Sequence, residues 1–276
     1  MTAIPTVPLN TGAGIPQIGL GTWPLTDSEA ADAVVAAARA GYRHFDTATR
    51  YGNEAGVAEG MRRSGIDRDE LFVTTKLDGE FQGGDRAIPG LEAALERMDL
   101  DHVDLLLMHW PLPARGQFVS TWKTFEQLHS DGRARAIGVS NFTPAHLDVL
   151  LGEASIVPAV NQIQISPLTP RDEWVTYNAR HGIVTESWSP LGGPGAEVLA
   201  APELAPIAQA HGVTVGQVVL RWHVQRGLVP LPKSSNPERM AQNMDVFGFE
   251  LSDDDMSAIA ALERPGTGVD PDRDGH

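Results

Sequence analysis

The sequence predicts a single eight-stranded parallel α/β barrel, and three observations carry that prediction. Short apolar runs alternate with amphipathic segments along nearly the whole chain, and the barrel-type runs number eight. Strands separated by helices must lie parallel, and eight of them can close on themselves. The length of 276 residues suits one such barrel over 1–276 better than two packed domains.

A short hairpin comes first: Val7-Pro8-Leu9 and Ile15-Pro16-Gln17 flank the turn residues Asn10-Thr11-Gly12. Ile18 to Trp23 is the first core strand. Asp27 is the expected N-cap of a helix through Ala40, and Gly41 is its stop. Within it Ala30, Val34, Ala37 and Ala38 share one face. Strands are then expected at 44–48, 71–76, 103–109, 135–140, 159–165, 183–188 and 228–233. The intervening helices are expected near 53–64, 86–98, 118–131, 143–152, 171–181, 203–226 (broken near Gly212) and 236–245. A last helix near 252–262 and a polar tail follow, with no linker or low-complexity segment. The acid of Asp253-Asp254-Asp255 and of Asp270 to Asp274 is expected on solvated surface.

The competing architecture is the doubly wound open sheet. It needs a glycine-rich turn between first strand and first helix, where a pyrophosphate meets the helix N-terminus. The turn here is Trp23-Pro24-Leu25-Thr26-Asp27, and Gly19 and Gly21 fall inside the strand. That architecture is therefore set aside.

Composition narrows the function. Net charge is −15, with Lys+Arg 21 against Asp+Glu 36, which argues against a broad face for nucleic-acid backbone. There is no cysteine, so disulfides, thiolate nucleophiles and cysteine metal sites are excluded. Met1-Thr2-Ala3-Ile4-Pro5 has neither the basic nor the apolar run of a leader, and no stretch reaches the ~20 apolar residues of a membrane span. A soluble cytoplasmic monomer is expected.

The chemistry sits where apolar runs end. Asp46, Lys76 and His109 close successive strands, and Tyr51 follows the first of them, so all four fall on the carboxyl rim where barrel enzymes work. A phenol of pKa ~10 is a poor acid at neutral pH. A neighbouring ammonium, Lys76, is expected to lower it, and Asp46 to keep that ammonium charged. His109 can orient a substrate oxygen. The set describes a general acid for carbonyl reduction. No side chain delivers a hydride, so a nicotinamide cofactor is implied.

The segments Gly41-Tyr42-Arg43-His44-Phe45-Asp46-Thr47-Ala48, Tyr51-Gly52-Asn53-Glu54, Thr74-Thr75-Lys76 and Val103 through His109-Trp110-Pro111 resemble the aldo-keto reductase superfamily. Gly138-Val139-Ser140-Asn141-Phe142, Val160-Asn161-Gln162-Ile163, Trp188-Ser189-Pro190-Leu191-Gly192 and Pro232-Lys233-Ser234 extend the match over nearly the whole chain. Tail and loops look most like the bacterial 2,5-diketo-D-gluconic acid reductase branch. The resemblance implies NADP(H) and reduction of a small aldehyde, α-keto compound or keto-sugar. It implies Tyr51 as proton donor, Lys76 and Asp46 as its tuning pair, and His109 as the orienting group. Ser140, Asn141 and Gln162 match positions that bond the nicotinamide carboxamide, and Trp188 the ring that stacks on it. Thr22, Trp23 and Asp46 are also expected among the cofactor contacts. Ser189, Leu191 and Gly193 match a loop over the pyrophosphate. Lys233, Ser234, Ser235, Asn236, Arg239 and Asn243 match the adenosine end, with Lys233 and Arg239 expected to favour a 2′-phosphate. Trp23, Trp110 and Phe81 are expected to wall an open apolar substrate pocket with Tyr51 and His109.

Three departures from the pattern stand out. Gln164 and Ser166 replace a Glu and a His, the segment Leu77-Asp78-Gly79-Glu80-Phe81 brings acid where a Trp is common, and Asn236 replaces an Arg. Competing functions are a metal-dependent hydrolase using His44, Asp46 and His109, a Schiff-base aldolase using Lys76, and a non-catalytic dinucleotide-binding barrel. The hydrolase needs three or more convergent ligands, and the eighth strand ends in Pro232-Lys233, so no metal is expected.

Overall fold

The expected hairpin pairs β1 (Thr6–Pro8) with β2 (Gly14–Pro16), Val7 opposite Ile15, in the computed structural model, which describes residues 4–193 and 197–276. Met1 to Ala3 of the segment inspected for a leader lie outside the described residues. Leu9 and Ile15 of the hairpin region pack in one cluster with Phe72, Leu105, Leu107 and Val229 of the barrel strands. Apolar residues from before the first barrel strand thus join the barrel interior.

Eight strands follow and hydrogen-bond side by side in sequence order, all parallel. They are β3 (Leu20–Gly21), β4 (His44–Asp46), β5 (Phe72–Leu77), β6 (Val103–Met108), β7 (Ala134–Ser140), β8 (Val160–Gln164), β9 (Val184–Trp188) and β10 (Val229–Leu231). The first strand is shorter than the expected Ile18 to Trp23. It meets the last strand through only two backbone bonds, Gly19 N to Pro230 O (3.1 Å) and Gly21 N to Pro232 O (3.3 Å). A Cβ on Gly19 would stand 2.6 Å from His44 Nδ1, and one on Gly21 3.1 Å from the Leu231 carbonyl oxygen. Glycine therefore permits the close approach that brings the barrel round.

Between and after the strands lie α1 (Asp27–Ala40), α2 (Glu54–Ser64), α3 (Ala87–Met98), α4 (Phe118–Ser130), α5 (Pro144–Leu151), α6 (Asp172–Arg180), α7 (Leu204–His211), α8 (Val215–Gln225), α9 (Pro237–Met244) and α10 (Asp253–Ala260). The break expected near Gly212 is present: Gly212 takes φ 66°, and Thr214 then caps α8. The cap of α1 differs from the expectation. Thr26 caps it in a reciprocal box with Glu29. Asp27 instead accepts the Gly56 N–H of α2 at 2.7 Å, at a crossing where a Cβ on Gly56 would strike the Asp27 carbonyl.

The acids of the tail lie on solvated surface as expected, Asp270, Asp272 and Asp274 all being exposed, but the tail itself is tied to the barrel. Gln164 Oε1 accepts the Val269 N–H (2.8 Å), Arg171 donates to the Val269 carbonyl (2.7 Å), and Asp272 pairs with His146 at 2.9 Å. The Gly79 N–H donates to the His276 carbonyl at 3.2 Å. These partners sit at the last residue of β8 (Gln164) and on the loops and helix starts beyond the strand ends, so the tail crosses the carboxyl rim. Asp255, in the first turn of α10, caps that helix with Ser252 and pairs with His211. No described helix is long and apolar enough to cross a membrane.

Candidate active site

Asp46 ends β4, and Lys76 lies in β5 two residues past Thr74, the register partner of Asp46. Residues two apart on a strand share a face, which puts the Lys76 and Asp46 side chains together. Lys76 is fully buried. Its Nζ donates to Asp46 Oδ1 at 2.5 Å, to the Thr47 carbonyl at 3.0 Å and to Tyr51 Oη at 3.3 Å. All three ammonium protons therefore have acceptors. A single 3-10 turn, Thr49–Tyr51, brings the phenol back over β4, and Gly52 leaves that turn at φ 66°. The Tyr51 ring lies 5.2 Å from Trp23 and 5.7 Å edge-on from His109, centroid to centroid. The four rim residues named from the sequence are in one place.

Their electrostatics differ in one respect from the expectation. Burial raises the Tyr51 phenol above its ordinary value; Lys76 pulls it back down, and Asp46 pushes it up again. Lys76 tempers the effect of burial and does not overcome it. Burial opposes the Lys76 charge too, yet Asp46 and Tyr51 together raise its pKa, so the ammonium persists. Burial, then Lys76, His276 and Arg50, hold His109 well below its usual range, so its imidazole is neutral.

A second layer lies behind Asp46. Gln162 Nε2 donates to Asp46 Oδ2 (2.9 Å) and to Glu186 Oε2 (3.0 Å). Glu186 is fully buried, its acid pushed up to about 8 by desolvation and by Asp46. His44, 3.6 Å away, is pushed down to about 3 by burial and Lys76, and is neutral. A strand-interior Glu reads in sequence as an exposed charge, so nothing marked Glu186 in advance.

Around His109 the structure adds groups the sequence did not single out. Gln82 donates to the Trp110 carbonyl at 2.6 Å and fixes the start of the loop after β6. His276 stands 5.1 Å from the His109 ring and 5.9 Å from that of Trp110. Asp78, noted only as stray acid, faces both histidines. Trp110, with His276 of the tail beside its ring, is 7% exposed, while Trp23 is 57% exposed. Phe81, part-buried, packs on α3, where a Cβ at Gly90 would touch its ring at 2.7 Å. Gln164 and Ser166, which stand where the family pattern has a Glu and a His, hold the tail and the loop before it, Gln164 through Val269 and Ser166 through backbone bonds with Thr169.

The residues expected to hold a dinucleotide fall in two groups. Ser140, Asn141, Gln162 and Trp188 are joined by hydrogen bonds: Ser140 Oγ donates to the Gln162 carbonyl (2.9 Å), Asn141 Nδ2 to the His109 carbonyl (3.0 Å) and Trp188 Nε1 to Asn141 Oδ1 (2.9 Å). Asn141 takes φ 63°, and the Trp188 ring stays part-exposed. Thr22, fully buried, donates to the Asp46 carbonyl and faces Asn53, which braces β4. Ser189 (φ 50°) and Gly193 (φ 68°) turn the chain after β9 beside part-exposed Leu191; Pro194 to Ala196 of that loop lie outside the described residues.

At the second group, Lys233 and Arg239 are exposed, and among the described residues neither forms an ion pair. Ser234 Oγ accepts the Asn236 N–H, Ser235 is exposed, and Asn243 is buried. Asn236 caps α9, its Oδ1 accepting the Arg239 N–H at 2.9 Å, so the side-chain oxygen uses one of the helix-start donors expected for an anion. Two exposed cations outside any ion pair, with hydroxyl donors at a helix start, suit a phosphate, and a part-exposed indole beside two carboxamides suits a nicotinamide. The donor set fits the implied dinucleotide.

Comparison with known proteins agrees with this geometry. A family model described as the aldo/keto reductase family matches residues 12–264. The chain is 45% identical over 276 residues to 2,5-diketo-D-gluconic acid reductase B of Corynebacterium sp. (strain SHS752001), covering 100% of this chain and 99% of that one. A mutant of Gox0644 in complex with NADPH superposes with TM-score 0.94 at 41% identity, covering 99% and 100% of the two chains. An aldo-keto reductase of Bombyx mori in complex with NADP superposes with TM-score 0.89 at 34% identity, covering 95% and 94%.

Proposed function

The chain belongs to the aldo/keto reductase family, and on that premise we propose that it reduces a small aldehyde, α-keto compound or keto-sugar to the alcohol with NADPH, Tyr51 giving the proton. The supporting observation is the placement of Lys76 Nζ between Asp46 Oδ1 and Tyr51 Oη.

When bound, NADPH would supply the hydride for the carbonyl carbon. The Tyr51 O–H would give its proton to the carbonyl oxygen, which becomes more basic as the carbon is reduced. The phenolate left behind faces the Lys76 ammonium, which Asp46 keeps charged, and takes its next proton from solvent. Neutral His109 can donate one ring N–H to the same oxygen and set its direction toward Tyr51. Trp23, exposed beside Tyr51, offers an apolar wall that sheds water from the reacting bond. Ser140, Asn141 and Gln162 would hold the carboxamide and Trp188 the face of the ring. Ser189, Leu191 and Gly193 would line the pyrophosphate, and Lys233, Ser234 and Arg239 the adenosine phosphate.

The family resemblance of the relatives supports this substrate range, since one is a 2,5-diketo-D-gluconic acid reductase. A panel of aldehydes, α-keto acids and keto-sugars, followed by loss of NADPH absorbance, tests the proposal. Saturable loss with at least one class is expected; no loss above a carbonyl-free control with any class would overturn it.

A further inference from the structure

Three buried side-chain atoms beside the catalytic rim have no hydrogen-bond partner, and they face one another. They are Asp78 Oδ1, His109 Nδ1 and His276 Nε2, and all three are cut off from solvent. Asp78 Oδ1 lies 3.8 Å from His109 Nδ1 and 3.5 Å from His276 Nε2, and the three atoms all fall within 4.8 Å of one another. Leaving one buried polar atom unpaired is unfavourable, and leaving three on a common centre calls for a shared partner.

The partner's chemistry follows from the donors. Two imidazole nitrogens and one carboxylate oxygen form a borderline set, suited to zinc and its neighbours and not to magnesium. Ligand atoms ~2.0–2.2 Å from a tetrahedral zinc stand ~3.4 Å apart, close to two of the observed separations. The elements hold this arrangement independently. Asp78 follows β5, and its other oxygen is taken by Arg50 at 3.4 Å, which leaves Oδ1 free. His109 follows β6, with its carbonyl fixed by Asn141. His276 is anchored by its own carbonyl on Gly79.

We propose that Asp78, His109 and His276 form a binding site for one divalent transition metal of the zinc class, and that the bound ion staples the tail across the substrate opening. A tautomer of His109 that donates from Nε2 to a carbonyl leaves the Nδ1 lone pair for the ion. The ion thus need not unmake the catalytic imidazole. Its effect is on access: His276 rests against His109 and Trp110, and a metal bond in place of loose packing holds it there. Arg50 and Lys76 face this centre and oppose a dication, which weakens binding. Burial first, helped by Lys76 and Arg50 at His109 and by Arg50 at His276, lowers the pKa of both imidazoles and so favours the neutral form that ligates. The binding stands on geometry alone, whereas the inhibition rests on the carbonyl-reductase proposal above.

Zinc binding is measured on the full chain by competition with a chromophoric chelator, beside steady-state reduction of a carbonyl. One zinc per chain is expected. His276→Ala and Asp78→Asn should each weaken it by at least about tenfold. Zinc should raise the KM for the carbonyl and leave kcat nearly unchanged, and magnesium should do neither. Equal zinc affinity in wild type and His276→Ala, or inhibition that lowers kcat at constant KM, would overturn the proposal. Zinc binding with no reductase activity would overturn the function and leave the site standing; reduction with no zinc binding would do the reverse.

Discussion

Asp46 and Glu186 hang from one amide: Gln162 Nε2 lies 2.9 Å from an oxygen of the first and 3.0 Å from an oxygen of the second. The two acids nevertheless live differently. Asp46 meets the Lys76 ammonium at 2.5 Å, whereas Glu186 has no cation in bonding reach and its acid is pushed up to about 8 by burial first and Asp46 second. At neutral pH the pocket floor therefore carries one net charge pair and a protonated Glu.

Glu186→Gln tests that assignment through stability. The folded protein holds the Glu186 proton more tightly than the unfolded chain, whose glutamate ionises near its model value of 4.5. Folding therefore loses stability as pH rises from there toward about 8. Glutamine keeps the shape and cannot ionise. The variant should melt higher than wild type, with an advantage that grows from acidic to mildly alkaline pH and reaches a few kcal/mol at most. A melting difference constant across that range would mean that Glu186 is already ionised in the fold.

Tyr51→Phe removes the transferable proton and keeps the ring that packs on Trp23. Carbonyl reduction should fall by ~100-fold or more, with NADPH binding near wild type. If more than about a tenth of the turnover remained on an aldehyde whose reduction is limited by chemistry, Tyr51 would not be the general acid.

The barrel was legible because its evidence is periodic. Every expected strand appears within a few residues, and the helix break at Gly212 appears where the glycine stands. The rim tetrad was legible because the strand ends fix where side chains emerge. What the sequence hid depends on meetings far apart in the chain. Thr26 outcompetes Asp27 for the cap because Asp27 is taken by Gly56 of the next helix. Phe81 turned to α3 because Gly90 opens a seat there. The acids of the tail are exposed as their number implies, yet Gln164, Arg171 and His146 hold the tail over the rim and carry His276 to His109. No periodicity announces such a contact.

Lys76→Met should act through the phenol. Burial already sets Tyr51 above its ordinary range, and Lys76 is the main group drawing it back. Without that cation the phenol becomes a weaker acid, so reduction should slow by roughly 10-fold to 100-fold at neutral pH. The falling alkaline limb of the pH–rate profile should move to higher pH, because the phenol then keeps its proton longer. Asp46 is left buried beside no cation, so a lower melting temperature should accompany the change. A variant with the wild-type profile and rate would make Lys76 a structural residue only.

Cofactor choice turns on two exposed cations. NADPH differs from NADH by a phosphate near −2, and a chain of net charge −15 repels it unless positive side chains intervene. Lys233 follows β10 and Arg239 lies in the first turn of α9, where Asn236 caps the helix and Ser234 bonds the cap residue. A charge-assisted bond of this kind contributes ~1.5–3 kcal/mol, or roughly tenfold or more in affinity. Wild type should therefore favour NADPH over NADH in kcat/KM. Arg239→Ala should lose about tenfold or more of that preference, chiefly through the KM for NADPH, while NADH kinetics barely change. Equal use of the two cofactors by wild type, or an Arg239→Ala preference unchanged from it, would place the discriminating contact on other residues.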